Sequence, residues 1–322
     1  MRAVVFSGAG GAEVMEVAER PDPGPAANEV VVAATHAGLN PADLAQRAGR
    51  YPAPPGSPPD IPGLEVSGTV VAWGSAVTDW REGDRVFGIV GGGGLADRVV
   101  VHERHVAAVP DRLDDAGAAA VPEAFITAHD AVFTQAGLRM GEVLLVNGAN
   151  GGVGTAAVQL GVAVGATVLA NVRSPGAADR LRELGAEPVT NDDVADRARE
   201  LGGVDVVLEL VGAGNIPLDL EVLAVRGRVM IVGTGAGTDA DLSLRALMSR
   251  RASITGTLLR ARPLEQKALA VQAFARGVVP LLASGRVAPV VDRVFPVEQA
   301  AEAFDHLGAP GKFGKVLLEF GS

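Results

Sequence analysis

The sequence predicts an α/β fold in which a β-rich domain is joined to a doubly wound parallel sheet. Three observations lead there. Residues 1–120 carry short alternating or β-branched runs punctuated by Gly, Pro and Asp. From Pro122 onward, strand-like and helix-like stretches alternate, which is the order that builds a parallel sheet with helices on both faces. Between two of those strands, "VNGANGGVGTAAVQL" sets Gly148, Gly151, Gly152 and Gly154 in a strand-to-helix turn. A chain of 322 residues suits two domains of ordinary size.

In the first part, "RAVVF", "EVVVAATHAG", "EVSGTVVAWG", "DRVFGIV" and "LADRVVVH" read as strands of a small barrel or sandwich, with one short helix at "NPADLAQRAG". The stretch 51–63, "YPAPPGSPPDIPG", holds six prolines and forms a stiff loop. After Pro122 the expected order is helix "EAFITAHDAVFTQAG", strand "EVLLVNG", helix "GTAAVQLGVAVG", strand "TVLANV" and helix "AADRLRELG". Strand "VDVVLELVG", helix "NIPLDLEVLAV" and strands "RVMIVG" and "SITGTLL" follow. Two helices, "PLEQKALAVQAFARGVVPLLASG" and "PVEQAAEAFDHLG", then lead to a last strand, "GKVLLEF". That strand can return to the first domain, but periodicity alone does not prove the return.

Composition narrows the function. The net charge is −10 with no basic block, which argues against nucleic acid and anionic membranes as partners. Without cysteine there is no disulfide, thiolate zinc site, iron–sulfur cluster or cysteine nucleophile. No apolar run approaches the ~18–20 residues of a membrane helix, and the N-terminal stretch lacks the apolar core of a signal peptide. A soluble cytoplasmic protein is expected.

The glycine turn points to a dinucleotide. An early glycine allows the sharp turn, a middle one lets the backbone approach a pyrophosphate, and the last lets helix and strand pack closely. The helix N-terminus offers N–H groups and a positive dipole end to the phosphates. A purely structural turn is the other reading. The next strand ends "ANVRSP", with no acid to bond a ribose 2′-OH. Arg173 and Ser174 there suit a 2′-phosphate, so NADPH is the expected cofactor; a solvated strand-end arginine is the alternative.

"GLNPADLAQRAGRY", "GLEVSGTVVAWG", "GDRVFGI", "VPEAFITAHDAV", "VNGANGGVGTAAVQL" and "GKFGKVLLEF" occur in that order across nearly the whole chain. Together they resemble the zeta-crystallin-like quinone oxidoreductases of the medium-chain dehydrogenase/reductase superfamily. The resemblance implies a discontinuous GroES-like catalytic domain, 1–122 with 266–322. A Rossmann NADP-binding domain, 123–265, is inserted in it, and the active cleft lies at their junction. It also implies a homodimer that pairs the last Rossmann strand, around Ser253–Leu259, edge to edge; an unpaired apolar edge otherwise invites uncontrolled association.

Zinc-dependent relatives carry a cysteine where this chain has Asn40 and a histidine where it has Leu64, with Glu123 near the third ligand position. Leucine cannot bind a cation, and Glu65 alone is too few ligands. His102 and His105, the closest histidine pair, read as surface or packing residues. The enzyme is therefore expected to be metal-free. Its easier substrates are quinones and α,β-unsaturated carbonyls, whose hydride adducts are already stabilised anions.

By resemblance, Asn40 holds the cofactor ring or a substrate carbonyl; its other reading is a turn-former before Pro41. Tyr51, the only tyrosine, binds substrate and can donate a proton, or it plugs the proline loop. Thr127 lies near the nicotinamide. Asn150 and Val153 belong to the glycine turn. Gly212, Gly233, Thr234 and Gly235 end parallel strands, where cofactors lie. Leu258, Leu259 and Arg260 approach the nicotinamide or phosphate, and Phe313, Gly314 and Lys315 close over the cofactor, unless Lys315 is a solvated strand-end lysine. Departures from the family pattern stand at Gly176 or Ala177 and at Asn191 or Asp192, which leaves NADH usable as well. An enoyl reductase of lipid or polyketide metabolism and a noncatalytic, crystallin-like NADPH-binding protein are the competing readings.

Overall fold

The structure, a computed structural model, describes residues 1–173 and 175–321. The strands are β1 (Arg2–Phe6), β2 (Met15–Glu19), β3 (Glu29–Ala33), β4 (His36–Leu39), β5 (Glu65–Trp73), β6 (Arg85–Ile89), β7 (Arg98–His102) and β8 (Val106–Ala108). They continue with β9 (Val143–Asn147), β10 (Thr167–Asn171), β11 (Glu187–Val189), β12 (Val204–Glu209), β13 (Leu223–Ile231) and β14 (Ser253–Gly256), then β15 (Val291–Pro296) and β16 (Lys315–Glu319). The helices are α1 (Pro41–Arg47), α2 (Asp115–Ala119), α3 (Pro122–His129), α4 (Gly152–Ala163), α5 (Ala178–Glu183) and α6 (Val194–Glu200). After them come α7 (Ile216–Val222), α8 (Leu244–Arg250), α9 (Leu264–Gly277), α10 (Val279–Ser284) and α11 (Ala300–Gly308). Two compact units result, Met1–Ile126 with Leu259–Ser322, and Thr127–Leu258.

In the first unit, β7, β3, β5, β6 and β8 form a five-stranded antiparallel sheet. Its core is built from β-branched residues such as Val30, Val32, Val66, Val70, Val86 and Val99, which fit a pleated surface. The chain return is explicit: β16 runs antiparallel to β4, and β15 parallel to β16. Helix α11 carries Ala300, Ala303, Phe304 and Leu307 at helical spacing and buries that stripe with Phe6, Val316 and Leu318. Phe304 meets Phe6 edge to face, with centroids 5.8 Å apart.

The second unit is a six-stranded parallel sheet in the order β11-β10-β9-β12-β13-β14. The order reverses between β9 and β12, the place where such sheets open a crevice at their carboxyl ends. Strands β9 and β12 are buried almost throughout, which is why Val143–Val146 and Val206–Leu208 are unbroken apolar runs. Strand β14 is the sheet edge and, among the described residues, pairs only with β13.

Some elements differ from expectation. "EVVVAATHAG" is two strands in two sheets, β3 and β4. The expected helix 215–225 stops at Val222, because Leu223 already pairs with Val204 of β12. Strand β13 then passes an irregularity at Arg226, whose φ is +69°. The single long helix expected from 263 divides into α9 and α10, since Pro280 lacks an N–H and cannot continue an unbroken ladder. "EAFITAHDAVFTQAG" is α-helical only to His129 and continues as a π-helical turn over Asp130–Gln135. Strands β2, β8, β11 and β15 and helices α2, α6 and α8 carried too weak a local pattern to be read.

Candidate functional site

The glycine turn follows β9 and opens α4. Gly148 has φ +78°, a conformation that glycine adopts without strain. A Cβ on Gly154 would lie 2.4 Å from the Gly148 carbonyl oxygen, so this glycine seats the helix against the turn. A Cβ on Gly151 would find its nearest atom at 3.6 Å, which leaves the backbone face there open to an approaching group. The first-turn N–H groups of α4, at Gly152, Val153 and Gly154, have no acceptor inside the helix. An open main-chain face at a helix N-terminus, above a sheet switch point, fits a nucleotide diphosphate.

Asn171 ends β10, Arg173 is exposed beyond it, and Ser174 lies outside the described residues. Gly212, with φ +129°, follows β12, and the loop 233–237 follows β13. The two loops are close: the Ala236 N–H donates to the Val211 carbonyl at 2.8 Å, and a Cβ on Gly233 would lie 2.2 Å from the Leu210 carbonyl oxygen. Thr234 and Gly235 are exposed on this loop. Thr127 is buried, Asn150 is half-buried and Leu258 is exposed.

Sequence reasoning missed a polar chain along the carboxyl ends of these strands. Asn171 donates to Asn191 at 2.7 Å and to Asn147 at 2.8 Å. Asn147 Nδ2 donates to Glu209 at 2.6 Å and to Asp219 at 2.7 Å. Glu209, fully buried, also accepts from the N–H groups of Val211 and Gly212. Burial first, and the Glu209 charge second, push the Asp219 carboxyl up to about 8. A glutamate set within the apolar run "VVLEL" was the one available signal.

The first unit holds a second buried cluster. Lys315 is buried, not solvated at its strand end. Its Nζ donates to Glu65 at 2.5 Å, to Asn40 Oδ1 at 2.7 Å and to the Leu39 carbonyl at 2.9 Å, which uses all three of its hydrogens. Asn40 Nδ2 donates to the same Glu65 oxygen at 2.8 Å. The amide orientation is thus fixed by an ammonium on one side and a carboxylate on the other. The Asn40 N–H donates to Asp43, which burial pushes up to about 6. Asn40 also precedes α1 as its cap residue, so the turn-forming reading and a polar role coexist.

Arg260 ties down the proline-rich loop. Its guanidinium donates to the carbonyls of Gly91 and Tyr51 and to Gln46 Oε1, and it lies 4.9 Å from the Tyr51 ring centroid. With its donors turned inward, Arg260 spends its side chain on this unit. Burial raises the Tyr51 phenol above its ordinary value, against the opposing effect of Arg260, so Tyr51 is protonated at neutral pH. Leu259 and Phe313 are buried, and the Phe313 N–H donates to Asp292 at 2.8 Å. Gly314 has φ +103°, and a Cβ there would lie 2.3 Å from the Val290 carbonyl oxygen. His105 is buried and hydrogen-bonds the Leu264 carbonyl; burial pushes its imidazole down to about 4, so it is a neutral packing residue. Among the described residues no three His, Asp or Glu side chains are grouped as metal ligands.

Comparison with known proteins matches residues 26–111 to the alcohol dehydrogenase GroES-like domain and 152–276 to the zinc-binding dehydrogenase domain. The chain is 32% identical to the quinone oxidoreductase of Sus scrofa, over 96% of this chain and 94% of that protein. It is 31% identical to a 2-methylene-furan-3-one reductase of Solanum lycopersicum, over 90% of this chain and 71% of that one. The crystal structure of the Escherichia coli quinone oxidoreductase complexed with NADPH superposes with a TM-score of 0.88 at 26% identity, covering 99% of this chain and all of that one. Fold, turn and relatives together define an oxidoreductase of the dehydrogenase class. The chain belongs to the medium-chain dehydrogenase/reductase superfamily, in its quinone oxidoreductase family.

Proposed function

We propose that the protein is an NADPH-dependent reductase that passes hydride to quinones or other α,β-unsaturated carbonyls without a metal ion. The observation that carries this reading is the open face at Gly151 on a strand-to-helix turn at the sheet switch point, beside a strand followed by Arg173 rather than by an acid. When bound, NADPH supplies the hydride. The turn's N–H groups would hold its diphosphate and Arg173 its 2′-phosphate. Asn40, Thr127, the 212 and 233–235 loops and the 313–315 segment are proposed to surround it. Tyr51, protonated at neutral pH, would bind the substrate and donate a proton to the reduced oxygen. Asn40 and Leu64 stand where zinc ligands would be needed, which supports metal-free chemistry. The name of the tomato relative favours enones beside quinones as substrates. A homodimer through β14 and a cytoplasmic location are part of the same reading.

The test is NADPH and NADH oxidation against a panel of quinones and enones. Arg173→Ala raises the KM for NADPH about tenfold, the worth of one charge-assisted hydrogen bond, and leaves NADH unchanged. An unaltered NADPH/NADH preference refutes the phosphate assignment. Tyr51→Phe lowers kcat by about 100-fold with little change in KM, as loss of a proton donor does. Full activity in that variant would leave Tyr51 only a packing role.

A further inference from the structure

The polar chain at the carboxyl edge of the parallel sheet ends in two carboxyl groups that no cation balances. Glu209 and Asp219 are both at most 1% exposed and both accept from the same atom, Asn147 Nδ2. Among the described residues neither makes an ion pair. Cations on the elements packed against α7 are engaged elsewhere or face solvent. In α6, Arg197 pairs with Glu187 and Glu200, and Arg199 with Asp196. In β13, Arg228 pairs with Glu142 and Arg226 is exposed. In α8, Arg250 donates to the carbonyls of Leu223 and Glu221, and Arg245 is exposed. On α7 itself Glu221 is exposed, and on β12 Asp205 accepts from the Val143 N–H. Glu209 is the charged group that acts on Asp219.

Two like charges in one buried site do not both ionise readily. Glu209 accepts four hydrogen bonds, from Val211 N, Gly212 N, Asn147 Nδ2 and Asn215 Nδ2, so every partner it meets is a donor. Asp219 accepts one, through Oδ1, while among the described residues no donor reaches its buried Oδ2; the side chain it can hydrogen-bond as an acid is Glu209. The proton therefore belongs on Asp219, where burial first and the neighbouring Glu209 carboxylate second hold it.

We propose that Glu209 and Asp219 form a one-proton acid–carboxylate pair that positions the loop after β12, and with it Asn147 at the start of the glycine turn, for nucleotide binding. Glu209 is the clamp: it gathers the two N–H groups of the 211–212 turn, to which the 236–237 loop is in turn bonded through Ala236 N and Ala213 N. Asp219 is a positioning residue that acts through Glu209. Losing its proton places a second charge beside the clamp and loosens both loops. The effect on nucleotide affinity rests on the function proposed above.

Asp219→Asn keeps the shape of the protonated acid and its donor but cannot ionise. Two quantities, unfolding free energy by urea and the NADPH dissociation constant by fluorescence titration, are measured from pH 5 to 9.5 in both proteins. The sign follows from linkage. An acid whose folded-state pKa is raised binds a proton in the native state that the unfolded chain has released, so stability falls as pH rises between the two values. The wild-type folding constant therefore falls by up to about tenfold per pH unit relative to Asp219→Asn between roughly pH 5 and 8, and runs parallel above. NADPH affinity of the wild type holds to about pH 8 and drops several-fold beyond it, while the variant stays level. Parallel stability profiles in the two proteins overturn the shared proton. A diverging stability profile with identical NADPH profiles overturns the positioning role. Should the wild type not bind NADPH at any pH, the proposed function fails and so does the positioning role, and the stability profiles still decide the shared proton.

Discussion

Replacing Lys315 by methionine is expected to lower the unfolding free energy by about 3–5 kcal/mol, measured by chemical denaturation. The loss exceeds that of a surface ion pair because Lys315 and Glu65 are both at least 96% buried. Without the ammonium, Glu65 remains buried with no counter-ion, and Asn40 Oδ1 and the Leu39 carbonyl lose their donor. Adding Glu65→Leu removes the stranded charge and restores part of the stability. It does not restore all of it, because Asn40 Nδ2 and the Glu123 N–H then lose their acceptor. Gly38 belongs to the same arrangement: a Cβ there would overlap Glu65 Oε1 at 2.2 Å.

The second large effect separates two glycines in one turn. Gly154→Ala drives a methyl group into the backbone of Gly148 and Ala149, at 2.4 and 2.7 Å, which only a shift of the turn can relieve. Overpacking of that kind costs about 1–3 kcal/mol or more, and nucleotide affinity falls with it. Gly151→Ala meets nothing closer than 3.6 Å, and its φ of −79° suits any residue. Its stability should stay within about 0.5 kcal/mol of the wild type, yet its NADPH affinity should fall by about tenfold or more if the diphosphate binds at this face as proposed. Denaturation and NADPH titration on both variants check this. Equal NADPH affinity in Gly151→Ala and the wild type would remove the diphosphate from the turn.

The alternation after Pro122 was legible because β9, β10 and the middle of β12 are short apolar runs and the twelve-residue α4 stands between the first two. The edges were not. Strand β11 has three residues, and β15, "VDRVFP", is too polar to stand out. The glycine turn was legible because its physics is local: four glycines within seven residues. The carboxyl pair was not, since Glu209 and Asp219 become partners of Asn147 across 62 and 72 positions. Lys315 was ambiguous for the same reason, as its acceptor Glu65 lies 250 residues earlier. Polar groups acquire their meaning from neighbours that the fold supplies, whereas apolar periodicity carries its meaning along the chain.

The pairing of β16 with β4 has a consequence during synthesis. At about 5–20 residues per second, the ribosome makes every strand of the parallel sheet before it makes the strand that covers Leu39. Until then His36–Leu39 presents an open edge, and Glu65 waits in the nascent polypeptide without its counter-ion. The inserted unit has the material to fold first, and the flanking one is completed only as the final strand emerges from the exit tunnel.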